Sequence, residues 1–299
     1  MRYFNSANEL NKYDYIVTKS SPSLFLGWYL KKKYGIKWIA SWNDPCPASK
    51  YPPPYGKGAD YRGSLFDRMT IKKMRFADFH IFPCERLSRY MQNYLAIDIE
   101  KCVTVAHASS YHNAVVRKNP DDTLRMLHSG RLLPPRDPKP LLQALALIHK
   151  EKPSFKIHLT LVGSLMPSIK DMIREYDLEE WVNVMPPVDY LKSLEMTADY
   201  DVAVIVEAPV KEGIFLPTKA GDYVNMGIPV FAISPDVGML NDLYKSKVIG
   251  YFASVNSPDS IAKELLAIYG DFTRKDLRPC CGEIPYSNPS YIIEQYKRL

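Results

Sequence analysis

Long apolar runs are missing from this chain. No segment approaches the roughly 18 residues that a bilayer span requires, so any membrane contact is expected to be peripheral. The N-terminal MRYFNSANEL is polar and lacks the apolar centre of a signal peptide. Paired cysteines are missing as well. Cys46, Cys84, Cys102, Cys280 and Cys281 are odd in number and show no C-x-x-C spacing, which argues against a disulfide framework and a zinc site and favours a reducing cytoplasm. No G-x-G-x-x-G follows a strand-like run, which excludes a dehydrogenase of the dinucleotide-binding type. There is no low-complexity tract and no block of like charge long enough to bind nucleic acid. The net charge of +6 favours anionic substrates or a weak hold on an anionic membrane face. The largest basic cluster, Lys31 to Lys33, is expected to end a helix and face solvent rather than bind lipid.

With 299 residues, 46% of them hydrophobic and 24% charged, the chain can bury two cores of ordinary domain size. Short apolar runs at residues 15–18, 37–40, 79–82 and 101–105 alternate with helical patterns, which predicts an α/β fold with a parallel sheet. The polar stretch 117–123 (RKNPDDT) interrupts this alternation and reads as a linker. Strand-like runs resume at 124–129, 157–162, 202–206, 230–233 and 250–252, with helical patterns at 141–150 and 257–269 between them. The expected division is therefore two Rossmann-like domains, 1–118 and 119–285, followed by a terminal amphipathic helix within 286–299.

The stretch 212–230, EGIFLPTKAGDYVNMGIPV, gathers two carboxylates and a lysine around one strand-to-helix turn. The run 202–206 reads as a buried parallel strand that points its C-terminal end at this turn. Thr218 is the expected N-cap of a helix of two to three turns, which Gly227 and Pro229 stop. Free N–H groups at the helix start would face an anion such as a diphosphate. Asp222, acceptor-only when ionised, suits a pair of vicinal ribose hydroxyls, or else serves helix solubility. Lys219 serves the anion from the opposite side or pairs with Asp222. A second motif, residues 127–132 (LHSGRL), is followed by Arg136-Asp137-Pro138. Here Gly130, Arg131 and Arg136 follow a strand's C-terminal end, where α/β proteins bind ligands. Among the histidines, His80, His128 and His158 sit inside strands and read as structural, whereas His107 closes a strand and reads equally as a ligand or a structural residue.

With Glu212, the Pro217-Thr218-Lys219 turn, Asp222-Tyr223 and Gly227-Ile228-Pro229-Val230, the chain resembles the GT-B glycosyltransferases of the retaining group 1 (family 4) type that builds bacterial polysaccharides. The commoner members place two glutamates closer together than Glu212 and Asp222 stand here. The resemblance implies that Arg131 and Arg136 clamp a donor diphosphate, that Glu212 accepts from hydroxyls of the transferred sugar, and that Glu207 rivals it for that role. Fixed guanidinium groups stabilise the charge that builds on a departing diphosphate. Trp42-Asn43-Asp44-Pro45 resembles the family's acceptor-side motif, making Asp44 the candidate for activating the acceptor hydroxyl, with a turn or N-cap aspartate as the alternative. The long irregular loop that follows it, residues 45–63, is expected to be functional or mobile, with tyrosines suited to stacking on sugars. Family members carry further βα units ahead of this point. The first domain is therefore expected to be incomplete, with a fragment, a partner chain that supplies the missing strands, and a reduced domain all open.

The implied activity is transfer of a hexosyl-like group from a UDP- or GDP-linked nucleotide sugar to a hydroxyl of a glycan or lipid-linked acceptor, with retention. The resemblance implies no metal, no metal-binding Asp-x-Asp of the other large glycosyltransferase fold, and no cofactor beyond the donor. The alternatives are a catalytically incomplete sugar-nucleotide-binding subunit and a GT-B nucleotide-sugar epimerase.

Overall fold

A computed structural model describes residues 12–19, 21–107, 109 and 121–299. Most of the expected linker lies outside them. The chain forms two compact α/β units, one comprising Met1–His107, Ile214–Leu216 and Pro285–Leu299, the other Ala108–Gly213 and Pro217–Ile284.

The first unit holds a four-stranded sheet of β1 (Tyr15–Lys19), β2 (Lys37–Ser41), β3 (Phe79–Phe82) and β4 (Cys102–Thr104), parallel throughout and in that order. Its helices are α1 (Ser21–Tyr34), α2 (Leu65–Met74) and α3 (Glu85–Leu95). Close packing of α1 on the sheet depends on Gly27, where a Cβ would lie 2.2 Å from Nε1 of Trp38. That indole, fully buried in β2, donates to Thr18 Oγ1 at 2.8 Å, so its one polar atom is satisfied. Helix α2 opens with a capping box in which Ser64 Oγ accepts from Asp67 N and Asp67 Oδ2 accepts from Ser64 N. The terminal helix α10 (Pro289–Arg298) belongs to this unit, with the Tyr291 hydroxyl donating to Thr104 O at 3.1 Å.

The second unit contains β5 (Leu124–Ser129), α4 (Lys139–Glu151), β6 (Ile157–Val162), α5 (Ser168–Glu175), β7 (Val182–Met185), α6 (Tyr190–Thr197), β8 (Val202–Val206), α7 (Thr218–Met226), β9 (Val230–Ser234), α8 (Met239–Lys245), β10 (Tyr251–Ser254) and α9 (Pro258–Thr273). Its six strands are all parallel in the order β10-β9-β8-β5-β6-β7. That is the doubly wound Rossmann order, whose switch point falls between β5 and β8. Every residue of β8 (VAVIV) is buried, as a central parallel strand covered on both faces must be. The core joins these strands to Leu142, Leu145 and Ile148 of α4 and Ile261, Leu265 and Ile268 of α9. Strand β7 is an element that apolar patterning did not reveal. No helix among the described residues is long and apolar enough to cross a membrane.

Candidate active site

The switch point sets the site of the second unit. Past the end of β5, Gly130 adopts φ +143° and donates its N–H to Val162 O at 2.8 Å. Across from it, at the end of β6, Gly163 has φ +137°, and a Cβ there would lie 1.9 Å from Gly130 O. Neither position accommodates a side chain. Over Gly130 lies Lys219 from the first turn of α7; its Nζ donates to Ser129 O at 2.6 Å, and a Cβ on Gly130 would stand 2.6 Å from that nitrogen. Past the end of β8, Glu207 is buried and accepts from Arg136 Nη2 at 3.3 Å.

Electrostatics bind these groups into one cluster. Burial raises the Glu207 carboxyl above its ordinary value although Arg136 and Lys219 both oppose the shift. Burial also lowers Lys219, to about 8, with Glu207 resisting and Arg136 reinforcing the change. His128 Nδ1 lies 3.0 Å from Val204 O, and its imidazole is held well below its usual pKa by burial first and by Lys219 second. A neutral ring therefore donates from Nδ1 and leaves Nε2 an acceptor. That atom is buried, without a hydrogen-bond partner among the described residues, 3.9 Å from where a Gly130 Cβ would stand.

Thr218 is the first residue of α7 and not its N-cap. Pro217 holds the cap position and no side chain caps the helix. Its first-turn N–H groups thus end the helix uncapped beside Lys219, an arrangement that suits an anion. Gly227, at φ +68°, closes the helix as expected. Asp222 is buried rather than a solubilising surface residue: its Oδ1 accepts from Ser109 Oγ at 2.6 Å and from the Tyr190 hydroxyl at 2.8 Å. The expected alternative of a Lys219–Asp222 pair gives way to these partners. Arg131 is exposed and follows Gly130 directly. Glu212 is half-buried on a loop that the neighbouring Gly213 staples to residues 237–239, through its N–H to Val237 O and its carbonyl to Met239 N, both 2.8 Å.

Residues 123–271 match the model of the glycosyl transferases group 1 family. This segment resembles a group 1 glycosyl transferase domain. It contains the whole cluster just described except Ser109. The structure is similar to that of sucrose-phosphate synthase from Thermosynechococcus elongatus, with 18% identity, TM-score 0.70, and coverage of 89% of this chain and 67% of that one. It is also similar to Anabaena HepE in complex with UDP, with 14% identity, TM-score 0.71 and coverage of 98% and 81%. The lipopolysaccharide outer core galactosyltransferase WaaB gives 12% identity, TM-score 0.64 and coverage of 98% and 78%. No curated protein matches. At these identities the likeness establishes the GT-B fold.

Within the matched segment the structure gathers Gly130, Arg136, Glu207 and Lys219, while Asp222 stands further along α7. Sequence patterning missed His128, whose place inside a strand reads as core, and Gly163, Ser109 and Tyr190, whose contacts are non-local. One Asp-x-Asp triplet does occur, Asp199-Tyr200-Asp201, contrary to expectation, but it precedes β8 at the opposite end from the cluster. There the Asp201 carboxylate accepts from Arg125 N at 2.8 Å.

Asp44 and His107 belong to the first unit. Asp44 is exposed beyond β2 and is hydrogen-bonded by the Tyr51 hydroxyl, whose pKa is raised by burial and then by this carboxylate. It caps no helix, since Pro47 precedes the short 3-10 turn Ala48–Lys50. Burial and Lys19 lower His107 below the usual imidazole value. The loop at residues 45–63 is pinned through its centre. The Lys50 ammonium, buried, donates to Ala59 O at 2.5 Å and Tyr61 O at 2.6 Å, while Tyr90 donates to Lys50 O at 2.7 Å. Tyr51 and Tyr55 pack with Phe215 at ring-centroid distances of 6.0 and 5.8 Å.

Proposed function

We propose that the protein transfers a sugar from a nucleotide-sugar donor, UDP- or GDP-linked, to a hydroxyl of a glycan or lipid-linked acceptor in surface polysaccharide biosynthesis, with retention of configuration and without metal. The observation that carries this reading is the pair of half-buried Arg136 and buried Glu207 beside Lys219 and the uncapped start of α7, all at the C-terminal ends of β5 and β8. Two cations there face one carboxylate, so the site retains positive charge for an anion, and Arg131 adds a third cation at its rim. A departing diphosphate gains charge in the transition state, and cations already fixed in place stabilise it without reorganising.

In this reading Arg131, Arg136, Lys219 and the Gly130 turn take the diphosphate, Thr218 contributes the first turn of α7, and Asp222 takes the ribose hydroxyls. Glu212 takes hydroxyls of the transferred sugar. Glu207, engaged with Arg136, orients that guanidinium rather than the sugar. Asp44 orients the acceptor hydroxyl and His107 lines the same unit's site, while the leaving diphosphate takes up the acceptor proton, so that no protein nucleophile is needed. HepE, in complex with UDP and with UDP-glucose, supports the donor class, and WaaB, a lipopolysaccharide galactosyltransferase, supports the acceptor class. A lipid-linked acceptor places the reaction at the inner face of the cytoplasmic membrane.

Isothermal titration of the purified chain with UDP, GDP and their common sugar conjugates, in metal-free buffer, tests the proposal. Selective micromolar binding of one nucleotide is expected. A folded sample that binds none of them removes the donor site.

A further inference from the structure

Helix α2 is apolar on two sides. Thr70, Ile71 and Met74 turn inward and are buried, as the inner face of an amphipathic helix should be. At 3.6 residues per turn, Leu65, Phe66, Met69, Lys72 and Lys73 gather on the opposite side, with Phe76 just beyond the helix end. Leu65, Phe66, Met69 and Phe76 are 66%, 67%, 50% and 55% exposed. A helix side turned to water ordinarily carries polar residues instead. The stripe borders a groove of about 560 Å³ between α1 and α2, lined by Trp28, Lys32, Met69, Lys72, Lys73 and Phe76. Lys31 shares the groove but is paired with Asp78 at 2.5 Å. Two of the other three ammonium groups lie over aromatic rings: Lys32 is 5.3 Å from the Trp28 centroid, and Lys73 is 4.6 Å from Trp28 and 5.3 Å from Phe25. No acidic residue lines the groove. Asp67, the single acid between Arg62 and Phe76, is engaged in the capping box of α2.

We propose that this α1–α2 face docks on an anionic lipid bilayer. Exposed apolar side chains interleaved with lysines are the composition of an interfacial helix: the rings and Met69 enter the headgroup–acyl boundary, and the flexible lysine stems let their ammonium groups reach lipid phosphates. Charge complementarity selects anionic lipid over a neutral surface. Lys32 is exposed in the last turn of α1, as the sequence predicts, and in this proposal it also meets lipid. The docking face deepens, and rests on, the acceptor side of the function above, and all its residues lie in the first unit.

Flotation of the full chain with vesicles tests it. The chain should float with vesicles containing phosphatidylglycerol and not with pure phosphatidylcholine, and high salt should weaken the association. Lys72→Glu with Lys73→Glu should weaken it by at least about fivefold per lysine lost. Phe66→Ser with Met69→Ser, which leaves the charge unchanged, should also weaken it. Titration with UDP reports the donor site separately and should be unchanged in both double variants. The proposal is overturned by absent binding to anionic vesicles, by equal binding to neutral ones, or by variants that float as the parent does. Sedimentation showing a dimer that the same substitutions abolish would assign the face to a second copy of the chain instead.

Discussion

Lys219 is mostly protonated only while pH stays below its lowered pKa, and under the proposed function that makes donor binding titrate with this one residue. Burial sets the value at about 8, and Glu207 holds it from falling further. A diphosphate binds the charged form. Affinity for UDP should therefore be complete below pH 8 and fall as pH rises through it, approaching tenfold per pH unit, roughly, well above the pKa. Calorimetry across the range measures this, and Lys219→Met should show weak binding with no inflection near pH 8. Glu207→Gln removes the charge that supports Lys219, so its inflection should move to lower pH; an unmoved inflection would separate Glu207 from the site. Arg136→Ala and Arg131→Ala should each weaken UDP binding by about 1.5 to 3 kcal/mol, the scale of a hydrogen bond to a charged group. Unchanged affinity in both variants would remove the diphosphate assignment. Of these residues, Arg131, Arg136 and Lys219 are brought forward as candidates by local motifs, because each stands beside a glycine turn or a helix start. His128 is not. Strand periodicity gives the same signal for a core histidine as for one lodged against a lysine brought in by a distant helix.

At the scale of elements, two strand ends are pressed together by glycines. A methyl group at Gly163 would occupy the space of Gly130 O, at 1.9 Å, in a residue whose φ of +137° already disfavours side chains. Gly163→Ala should therefore cost more than about 2 kcal/mol in urea unfolding, by combining backbone strain with overpacking. It should also shift Leu132, whose N–H donates to Ser164 O at 3.0 Å and whose carbonyl accepts from Met166 N. A variant as stable as the parent would show that the two ends can separate freely. Strands β5, β6 and β8 match their predicted runs residue for residue; β8 (VAVIV) is apolar throughout because both its faces are buried, while in β5 (LRMLHS) and β6 (IHLTLV) enough apolar residues remain between the polar ones to mark the strand. The edge strand β7 escapes the same logic. It has four residues, its Asn183 is exposed, and Glu179, Glu180, Pro186 and Pro187 flank it, so its apolar content is too slight to register. The start of α7 was misread for a different reason: threonine is a good N-cap, but Pro217 supplies the extended φ/ψ of that position at −61° and 128° and takes it.

At the scale of the whole molecule, each unit has its own parallel sheet, and the proposed donor chemistry is confined to one of them. The doubly wound order opens a crevice only where neighbouring strands depart in opposite directions, which in the second unit is between β5 and β8. Alternating runs in the sequence make the two sheets legible, yet strand order is not. It follows from right-handed crossovers and the twist of the assembled sheet, which no local pattern encodes. The order predicts where a nucleotide will slow amide exchange. Bound UDP should protect backbone N–H groups that it contacts or stiffens, and those lie in the Gly130 turn, the loop after β8 and the first turn of α7. Hydrogen exchange read by mass spectrometry should therefore show protection in peptides covering 129–137 and 207–222. Peptides covering Asp44 and the 45–63 loop of the first unit should be unaffected by UDP alone. Protection centred instead on 153–158 and 180–185, beside the opposite strand ends, would place the nucleotide away from the Arg136–Glu207–Lys219 cluster. The missing side-chain cap at the α7 start gives the experiment its sensitivity, since uncapped first-turn N–H groups exchange readily until a ligand occupies them.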